Sequence, residues 1–222
     1  MFYYKTIASK TTKIGYTVGL IYQISVHYSD MEILYKLKSF FNNVGSIITT
    51  KDYVSYRVTN LSDIINVIIP HFNAYPLQST KIVSYYLFNA VATIMKNNNH
   101  INLKGYREVL SYKAALKKGL NTNIFKIKEF SNIVPFDILN IIVKYNFKLD
   151  SKYIAGFIAT NSSFFISRPL FNNKWPNYNA TFSIAQNKRD VRLLNRMIKL
   201  LNCGYIKSDS SNMRYLIVRN KK

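Results

Sequence analysis

Two segments of the chain share one pattern of apolar and polar residues. Residues 24–47 match residues 184–206 with one residue of gap. In each copy an alternating segment, typical of a half-buried strand, is followed by apolar residues at helical spacing and then by a glycine that ends the helix. The pattern predicts an internal repeat of strand, helix and strand. The aligned pairs are Asp30 with Asp190, Leu34 with Leu194, Asn42 with Asn202, and Gly45 with Gly204.

One acidic residue stands just before the helical pattern of each copy. Asp30 and Asp190 therefore fit the N-cap position, where a side-chain oxygen accepts a hydrogen bond from the first turn. The alternative is a catalytic acid. We predict capping, because the helical pattern begins directly after each aspartate.

Further elements follow the first copy. The pattern predicts a strand over residues 53–58 and helices over residues 61–72, 79–95 and 102–120, with breaks at Pro70, at Pro76 and at the asparagine run 97–99. The second copy ends after a strand over residues 215–218. The sequence thus predicts an α+β fold with a first repeat (residues 1–120), a linker (121–148) and a second repeat (149–222).

Composition adds a charge to this picture. The 222 residues include 31 Lys and Arg against 10 Asp and Glu, which gives a net charge of +21. Because 48% of the residues are hydrophobic and 15% are aromatic, the chain can bury a core and is not a disordered basic tail. The excess of positive charge favours a polyanionic partner, with nucleic acid the first expectation and an acidic membrane surface the second.

Several classes of protein are excluded. A single cysteine and three histidines cannot form a disulfide scaffold, a multi-cysteine zinc site or an iron–sulfur cluster. We expect Cys203 to be a small core residue. No apolar run is long enough to span a membrane, and the N-terminus has no secretory pattern, so the protein is predicted not to be secreted. Ile, Asn, Lys and Tyr are abundant, as A+T-rich codons would give, which points to an organellar genome.

A short motif carries the strongest signal. Residues 149–167 read LDSKYIAGFIATNSSFFIS, with Ala155 and Gly156 side by side in a predicted helix. Such small residues let two helices approach closely. The segment IAGFIATNS resembles the nine-residue motif of the LAGLIDADG homing endonucleases in their two-repeat form. Residues 13–27, 51–81 and 95–121 are also similar to that family, so the resemblance covers nearly the whole chain.

The resemblance implies a fold and a chemistry. It implies two pseudo-symmetric αββαββα repeats, whose antiparallel sheets form a saddle over the DNA major groove while the motif helices pack at the centre. An acid at the eighth motif position of each half would bind a divalent metal for phosphodiester cleavage. On this comparison the first repeat lacks its motif helix, because residues 1–4 match residues 163–166, and the second lacks its last helices.

The motif departs from the family at the positions that carry the chemistry. Its eighth position is Asn161, and the sixth is Ala159. Asparagine brings no negative charge and cannot act as a base. The family's glutamine near the scissile phosphate is kept only as Gln186, since the first half has Val26. We therefore expect that cleavage is lost, that no metal site is intact and that Mg²⁺ matters only for residual nuclease activity. A start codon upstream of Met1 would restore one acid and leave Asn161.

Basic residues on the predicted strands and turns are the candidate nucleic-acid contacts, and Lys51 and Lys207 could also stabilise a phosphate at a cleavage site. The exposed face of Ala155 and Gly156 is expected to need a second copy of the chain or another protein as its cover. The candidate contacts are Lys5, Lys10, Lys13, Lys51, Arg57, Arg168, Lys174, Lys188, Lys207, Arg214 and Arg219.

Three functions stay open on the sequence. The first is a nucleic-acid-binding protein derived from a homing endonuclease. The second is an RNA-binding role, as an intron maturase or a subunit of an organellar ribonucleoprotein. The third is a decaying open reading frame without function; residual DNA endonuclease activity is a further alternative to the first. Each is compatible with a mitochondrial, organelle-encoded origin.

Overall fold

The computed structural model of the chain describes residues 1–116, 119–120, 124, 127–139, 141, 149–167 and 178–219. It contains two compact units. One comprises residues 1–77 and 81–145, and the other comprises residues 78–80 and 146–222. The predicted domain and linker boundaries remain a prediction.

The first unit is built on a four-stranded antiparallel sheet in the order β1-β2-β4-β3. Its strands are β1 (Phe2–Ala8), β2 (Tyr16–His27), β3 (Ser46–Thr49) and β4 (Tyr53–Val58). Helix α1 (Met31–Phe40) connects β2 to β3. After β4 come helix α2 (residues 61–74), helix α3 (Lys81–Lys96) and helix α4 (Leu103–Ala114). The short 3₁₀ turns are Tyr28–Asp30, Asn99–Ile101 and Lys128–Phe130.

The second unit repeats the sheet in the order β5-β6-β8-β7. Helix α5 (Ser151–Asn161) leads directly into β5 (Ser162–Ser167), which pairs with β6 (Asn179–Asn187). A 3₁₀ turn (Lys188–Asp190) and helix α6 (Val191–Leu201) then lead to β7 (Tyr205–Ser208) and β8 (Met213–Arg219). The α+β fold with two related antiparallel sheets is confirmed.

Strand register confirms the internal repeat residue by residue. Phe2 lies opposite Tyr22, and Phe164 lies opposite Phe182. Directly opposed residues share one face of an antiparallel sheet, so the predicted match of residues 1–4 with 163–166 places the same positions on the same face of each sheet.

The two sheets differ in how their helix-facing sides are covered. In the first unit α2 and α3 cover that side, and the ring of Phe2 packs edge-on against Phe72 at 4.8 Å. Phe2 is 8% exposed, whereas its counterpart Phe164 is 77% exposed. Tyr4 is 5% exposed, whereas its counterpart Ile166 is 74% exposed. We call Phe164 and Ile166 the open strip of β5.

The second core is correspondingly small. It consists of Ile154 from α5, two sheet residues and three residues of α6. Because β6 and β8 place Ile184 and Leu216 fully inside, α5 and α6 are held on one side of the sheet. The fully or nearly buried residues are Ile154, Ile184, Leu193, Leu194, Met197 and Leu216.

The prediction that Pro70 breaks a helix is wrong. Helical backbone continues from residue 61 to residue 74, with a π-helical turn over Ile64–Ile68. Proline has no N–H, and its ring collides with the carbonyl four residues earlier in a regular helix. The wider turn just before Pro70 takes up that collision without ending the helix. Helix α4 also ends at Ala114, earlier than predicted.

The capping prediction is correct for position and wrong for contact. Asp30 and Asp190 occupy the N-cap positions of α1 and α6, but neither side chain makes the cap hydrogen bond. The preceding 3₁₀ turns are capped instead by His27 and Asn187, each of which accepts from the backbone two residues on. The Asp190 carboxylate accepts hydrogen bonds from the Thr80 backbone N–H at 2.6 Å and from the Thr80 hydroxyl at 3.2 Å.

Among the helices that the structure describes, none combines the length and the apolar character that crossing a membrane would need.

Candidate nucleic-acid interface and motif helix

The motif residues lie on α5, whose start is fixed by its own N-cap. The Asp150 carboxylate accepts a hydrogen bond from the Tyr153 N–H at 2.9 Å. Ile154 faces the core, whereas Ala155 and Gly156 are exposed, and a Cβ added at Gly156 would meet no atom within 4 Å. The small residues therefore leave one side of α5 open. The partner predicted for that side stays a prediction.

Asn161 is the last residue of α5 and uses both ends of its side-chain amide. Its Nδ2 group donates to the Phe157 carbonyl at 3.0 Å and to the Thr160 hydroxyl at 2.7 Å. Its Oδ1 accepts from Gln186 Nε2 at 3.2 Å. The structure thus brings together the two remnants that the sequence singled out, while Ala159, two residues earlier, is exposed and contributes no polar group.

These residues do not fit a site for a hard divalent cation. Mg²⁺ and Ca²⁺ prefer carboxylate oxygens, and the one carbonyl at the eighth position is neutral and already accepts a hydrogen bond. Within the described ranges no three His, Cys, Asp or Glu residues lie close enough to hold a metal. The two acids of the second unit that follow the motif are engaged elsewhere, Asp190 with Thr80 and Asp209 in a turn.

Asp209 is held by the loop between β7 and β8. Its carboxylate accepts from the Ser211 hydroxyl at 2.6 Å, from the Ser211 N–H at 2.9 Å and from the Tyr215 hydroxyl at 3.0 Å. These hydrogen bonds, that from the Ser211 hydroxyl first, lower the pKa of the Asp209 carboxyl below its ordinary value. Asp209 therefore stays ionised as the anchor of a turn.

The open face of the first sheet, opposite its core, carries a connected group of polar side chains. We call Tyr3, Gln23, Ser25, Ser55 and Arg57 the Gln23 cluster. Gln23 Oε1 accepts from the Tyr3 hydroxyl at 2.9 Å and from Arg57 Nε at 3.0 Å, and its Nε2 donates to Ser25 Oγ at 2.9 Å and Ser55 Oγ at 3.2 Å. Ser25 Oγ and Ser55 Oγ lie 2.8 Å apart.

Of this cluster, the sequence analysis named only Arg57 as a nucleic-acid contact. The other four are uncharged and stand on three different strands, so no linear motif joins them. The available signal was the alternation, because residues that share parity on paired antiparallel strands share a face. The pairs Gln23 with Arg57 and Ser25 with Ser55 lie directly opposite each other on β2 and β4.

The predicted cations of the first unit lie on the open face or in the turns beside it. Lys5 is exposed and opposite Gly19, with the parity of Tyr3, and Arg57 belongs to the Gln23 cluster. Lys10 and Lys13 are exposed in the β1–β2 turn, and Lys51 is exposed in the β3–β4 turn.

In the second unit the predicted cations divide between the two faces. Lys207 and Arg219 share the parity of the open face. Arg214 has the parity of the buried Leu216 and lies opposite Gln186, with its guanidinium donating to the Met213 carbonyl at 2.7 Å. Lys188 is exposed at the start of the 3₁₀ turn. Arg168 and Lys174 lie outside the described residues.

Charge balance sets these cations apart from ordinary surface pairs. None of the nine described cations predicted as contacts forms an ion pair with a carboxylate in the described part of the chain. Their charge is therefore available to a polyanion. The prediction for Cys203 is wrong: the thiol is exposed, because it lies in the turn between α6 and β7 next to Gly204, whose φ is +93°.

The two antiparallel sheets, with the motif helix running into the first strand of the second, define the class of two-repeat endonuclease folds. A family model described as LAGLIDADG endonuclease matches residues 1–92 and 154–222. The chain belongs to the LAGLIDADG endonuclease family.

Curated relatives come from fungi. The chain is 32% identical over 205 residues to "Probable intron-encoded endonuclease 2" of Neurospora crassa, which covers 87% of this chain and 44% of the relative. It is 27% identical over 201 residues to "Probable intron-encoded endonuclease 3" of the same fungus, covering 89% of this chain and 37% of the relative. The chain thus spans less than half the length of these two relatives.

Solved structures give the same fold. The I-SmaMI LAGLIDADG homing endonuclease bound to cleaved DNA is 29% identical, with a TM-score of 0.88 over 99% of this chain and 73% of that one. I-SmaMI bound to uncleaved DNA target in the presence of calcium ions and I-LtrWI bound to target DNA have the same identity and TM-score. They cover 99% of this chain and 75% and 74% of theirs.

Proposed function

We propose that this chain binds double-stranded DNA through the open faces of its sheets and does not cleave it. The observation that carries the proposal is Asn161, a neutral residue at the position where the family's chemistry needs an acid, tied by a hydrogen bond to Gln186. Support for DNA as the partner comes from the DNA-bound relatives of the same fold and from the cations on and beside the open faces, which form no ion pair with a carboxylate in the part of the chain that the structure describes.

Loss of cleavage follows from the chemistry of the motif. In the family a divalent ion orients and activates water for attack on the phosphodiester. Asn161 can offer only a carbonyl oxygen, and its Nδ2 is committed to the Phe157 carbonyl and the Thr160 hydroxyl. Neither it nor Gln186 can accept a proton from water at neutral pH. The remaining polar groups at this end of α5 can hold a phosphate by hydrogen bonding and cannot hydrolyse it.

The origin of the chain belongs to the same proposal. The curated relatives are named as intron-encoded, and one from Podospora anserina is named for an intron of ND4. These names, together with the abundance of residues that A+T-rich codons specify, support an intron-encoded protein of a fungal type. Such a protein would be encoded in the organelle and work in the mitochondrion.

The test combines binding and cleavage on the purified 222-residue chain. A library of double-stranded DNA with a randomised central segment is incubated with the protein in Mg²⁺ and in EDTA. We expect enrichment of bound sequences in both buffers and no cut strands in either. Specific double-strand cuts that need Mg²⁺ and disappear in Gln186→Ala would overturn the proposal.

An Asn161→Asp variant sharpens that test. The substitution restores a carboxylate at the eighth position without changing the size of the side chain. We expect its DNA binding to become stronger with Ca²⁺ than with EDTA, while the wild-type affinity stays the same in both. Asn161→Ala is the matched control, because it removes the amide without adding a charge. Structured RNA as a competitor tests the RNA-binding alternative, which would be favoured if RNA displaced all DNA at equal concentration.

A further inference from the structure

Gln23 has no hydrogen-bonding capacity left for a ligand. A glutamine amide offers an oxygen with two lone pairs and a nitrogen with two hydrogens. In the Gln23 cluster both acceptor positions are taken, by the Tyr3 hydroxyl and Arg57 Nε, and both hydrogens are directed at Ser25 and Ser55. The orientation of the amide is therefore set by four partners at once, and Gln23 acts on its neighbours and not on a ligand.

Arg57 is the cluster member with donors still to give. Its Nε is held by Gln23, and its two Nη groups have no hydrogen-bond partner among the described residues. On the other flank the opposing residue of β3 is Ser46, an exposed side chain too small to cover the guanidinium. Arg57 itself is half-buried. The structure therefore presents one arginine whose outer pair of donors is open and whose position on the sheet is fixed.

A fixed pair of parallel donors matches two neighbouring acceptors on a base edge. Guanine offers two acceptors, O6 and N7, side by side in the major groove, and a bidentate arginine is the commonest specific contact to them. A phosphate can accept the same pair of donors, but it carries no sequence information, and exposed Lys5 on the same face already offers a charge to it. Holding the side chain in advance reduces the entropy lost on binding, which matters for a contact that must discriminate between bases.

The internal repeat shows that the fold itself does not require this cluster. The register that pairs Gln23 with Arg57 pairs Ser183 with Ile217 in the second sheet. These two side chains form no such network, yet the second sheet has the same strand order and pairing. A purely structural role for the Gln23–Arg57 pair would be expected in both halves. The Gln23–Arg57 pair occurs in the first sheet and not at the matching positions of the second. We therefore assign it to what the first sheet contacts.

We propose that Arg57 reads one guanine of a double-stranded DNA target in the major groove, with Gln23 as the residue that positions it. This inference rests on the proposed function, because it requires that the open face of the first sheet meets duplex DNA. It adds the identity of a base and the side chain that recognises it. Tyr3 supports the same arrangement through its hydrogen bond to Gln23.

The experiment measures base preference rather than affinity alone. Wild-type protein and the Arg57→Lys, Arg57→Gln, Gln23→Met and Tyr3→Phe variants are each used to select from the randomised duplex library, and the bound DNA is sequenced. We expect one position with a guanine requirement in the wild type. Replacing that guanine should weaken wild-type binding by about 5- to 150-fold, the usual discrimination of an arginine–guanine pair.

The variants are expected to separate reading from positioning. Arg57→Lys keeps the charge and loses the fork of donors, so the guanine preference should vanish while binding to other sequences is kept. Gln23→Met removes the hydrogen bonds without a large change in volume. It should reduce the guanine preference at that one position of the selected sequences and leave the other positions unchanged. Tyr3→Phe should do so more weakly. Arg219→Gln, on the open face of the second sheet, is the matched control and should leave the guanine preference at that position unchanged.

The outcomes distinguish a failure of this inference from a failure of the proposed function. If the wild type selects no DNA, the proposed function and the inference both fail. If it selects DNA but Arg57→Gln weakens all sequences equally, Arg57 is a phosphate contact and only the inference fails. If Gln23→Met keeps the wild-type guanine preference, the positioning role of Gln23 is overturned. Circular dichroism of each variant identifies loss of folding, and Tyr3→Phe, which removes one hydrogen bond to Gln23, decides the positioning role if Gln23→Met unfolds.

Discussion

At Gly45 and Gly204 the backbone has φ values of +76° and +93°, a region that side chains disfavour. Asn42 and Asn202, which the repeat also aligns, have φ values of +54° and +52°. Asparagine tolerates the left-handed region better than most residues. The four residues that the repeat keeps around the ends of α1 and α6 are thus explained by the turn that each helix makes into the next strand.

Gly45→Ala is predicted to destabilise the first unit strongly. An added Cβ would lie 2.5 Å from the Arg57 carbonyl oxygen and 2.8 Å from Val58 Cγ2, in addition to the unfavourable φ. We expect a loss of about 2 kcal/mol or more in the free energy of unfolding, measured by chemical denaturation.

Gly156→Ala is the matched comparison within a helix. Nothing lies within 4 Å of its added Cβ, and alanine is the better helix former. We expect a gain of about 0.5–1 kcal/mol. A loss of stability in this variant would show that the exposed side of α5 is packed against something in solution.

Some features of the helices and strands depend on contacts between residues that are distant in sequence, and short sequence patterns do not predict such contacts. The alternation and the helix spacing placed the strands and helices of both repeats, because those signals are local. The partner of Asp190 is Thr80, 110 residues earlier, and no local pattern reports such a pair. The continuous helix through Pro70 likewise depends on a π-turn that the sequence does not signal.

Asp190→Ala should therefore cost more stability than Asp30→Ala. Both changes remove a negative charge from a helix N-terminus, worth about 0.3–1 kcal/mol. Only Asp190→Ala also leaves the Thr80 N–H without its carboxylate, for which we expect about 1–3 kcal/mol more. Equal losses for the two variants in urea unfolding would argue against the Thr80 contact.

Helix α2 also gives the fold a pH dependence through His71. Its ring packs against Phe40, Phe41, Phe72 and Tyr75, with centroid distances of 4.9–5.4 Å. Burial lowers the pKa of His71 below its ordinary value of 6.5. The folded state thus favours the neutral ring, and its contribution to stability is present above about pH 6.5 and is lost as the pH falls below that value.

The variant His71→Phe tests this contribution. Phenylalanine keeps the aromatic contacts and cannot be protonated, so stability should fall less between pH 7 and pH 5 than in the wild type. Thermal unfolding at several pH values measures the difference. His100, whose pKa burial also lowers, contributes in the same direction and remains in both proteins, which makes the comparison a difference in slope.

For the whole molecule, the net charge of +21 makes both stability and DNA binding depend on salt. Added salt should raise stability and weaken binding. Like charges repel within the folded chain, and the described residues contain one ion pair, Lys36 with Glu32 at 2.8 Å on the surface. Screening this repulsion should raise the melting temperature between low and moderate salt. Phosphate contacts weaken over the same range, because binding releases counterions from DNA.

We accordingly expect DNA affinity to fall by about 10³-fold or more between 50 and 200 mM salt, as six or more phosphate contacts would produce. Fluorescence anisotropy with a labelled duplex measures it. A nearly flat salt dependence would mean that the cations on the open faces do not contact phosphates. The sequence predicted this charge but not its arrangement: Arg214 turned out to share a face with Leu216, and only strand register could show that.

The open strip of β5 has a consequence for handling the protein. β5 stands at the end of its four-stranded sheet in the described strand order and displays Phe164 and Ile166 almost fully to water. Apolar edge strands are templates for the addition of strands from other molecules. Concentrated samples should therefore form β-rich aggregates that bind thioflavin, and replacing Phe164 with serine should delay them without disturbing the small core behind α6.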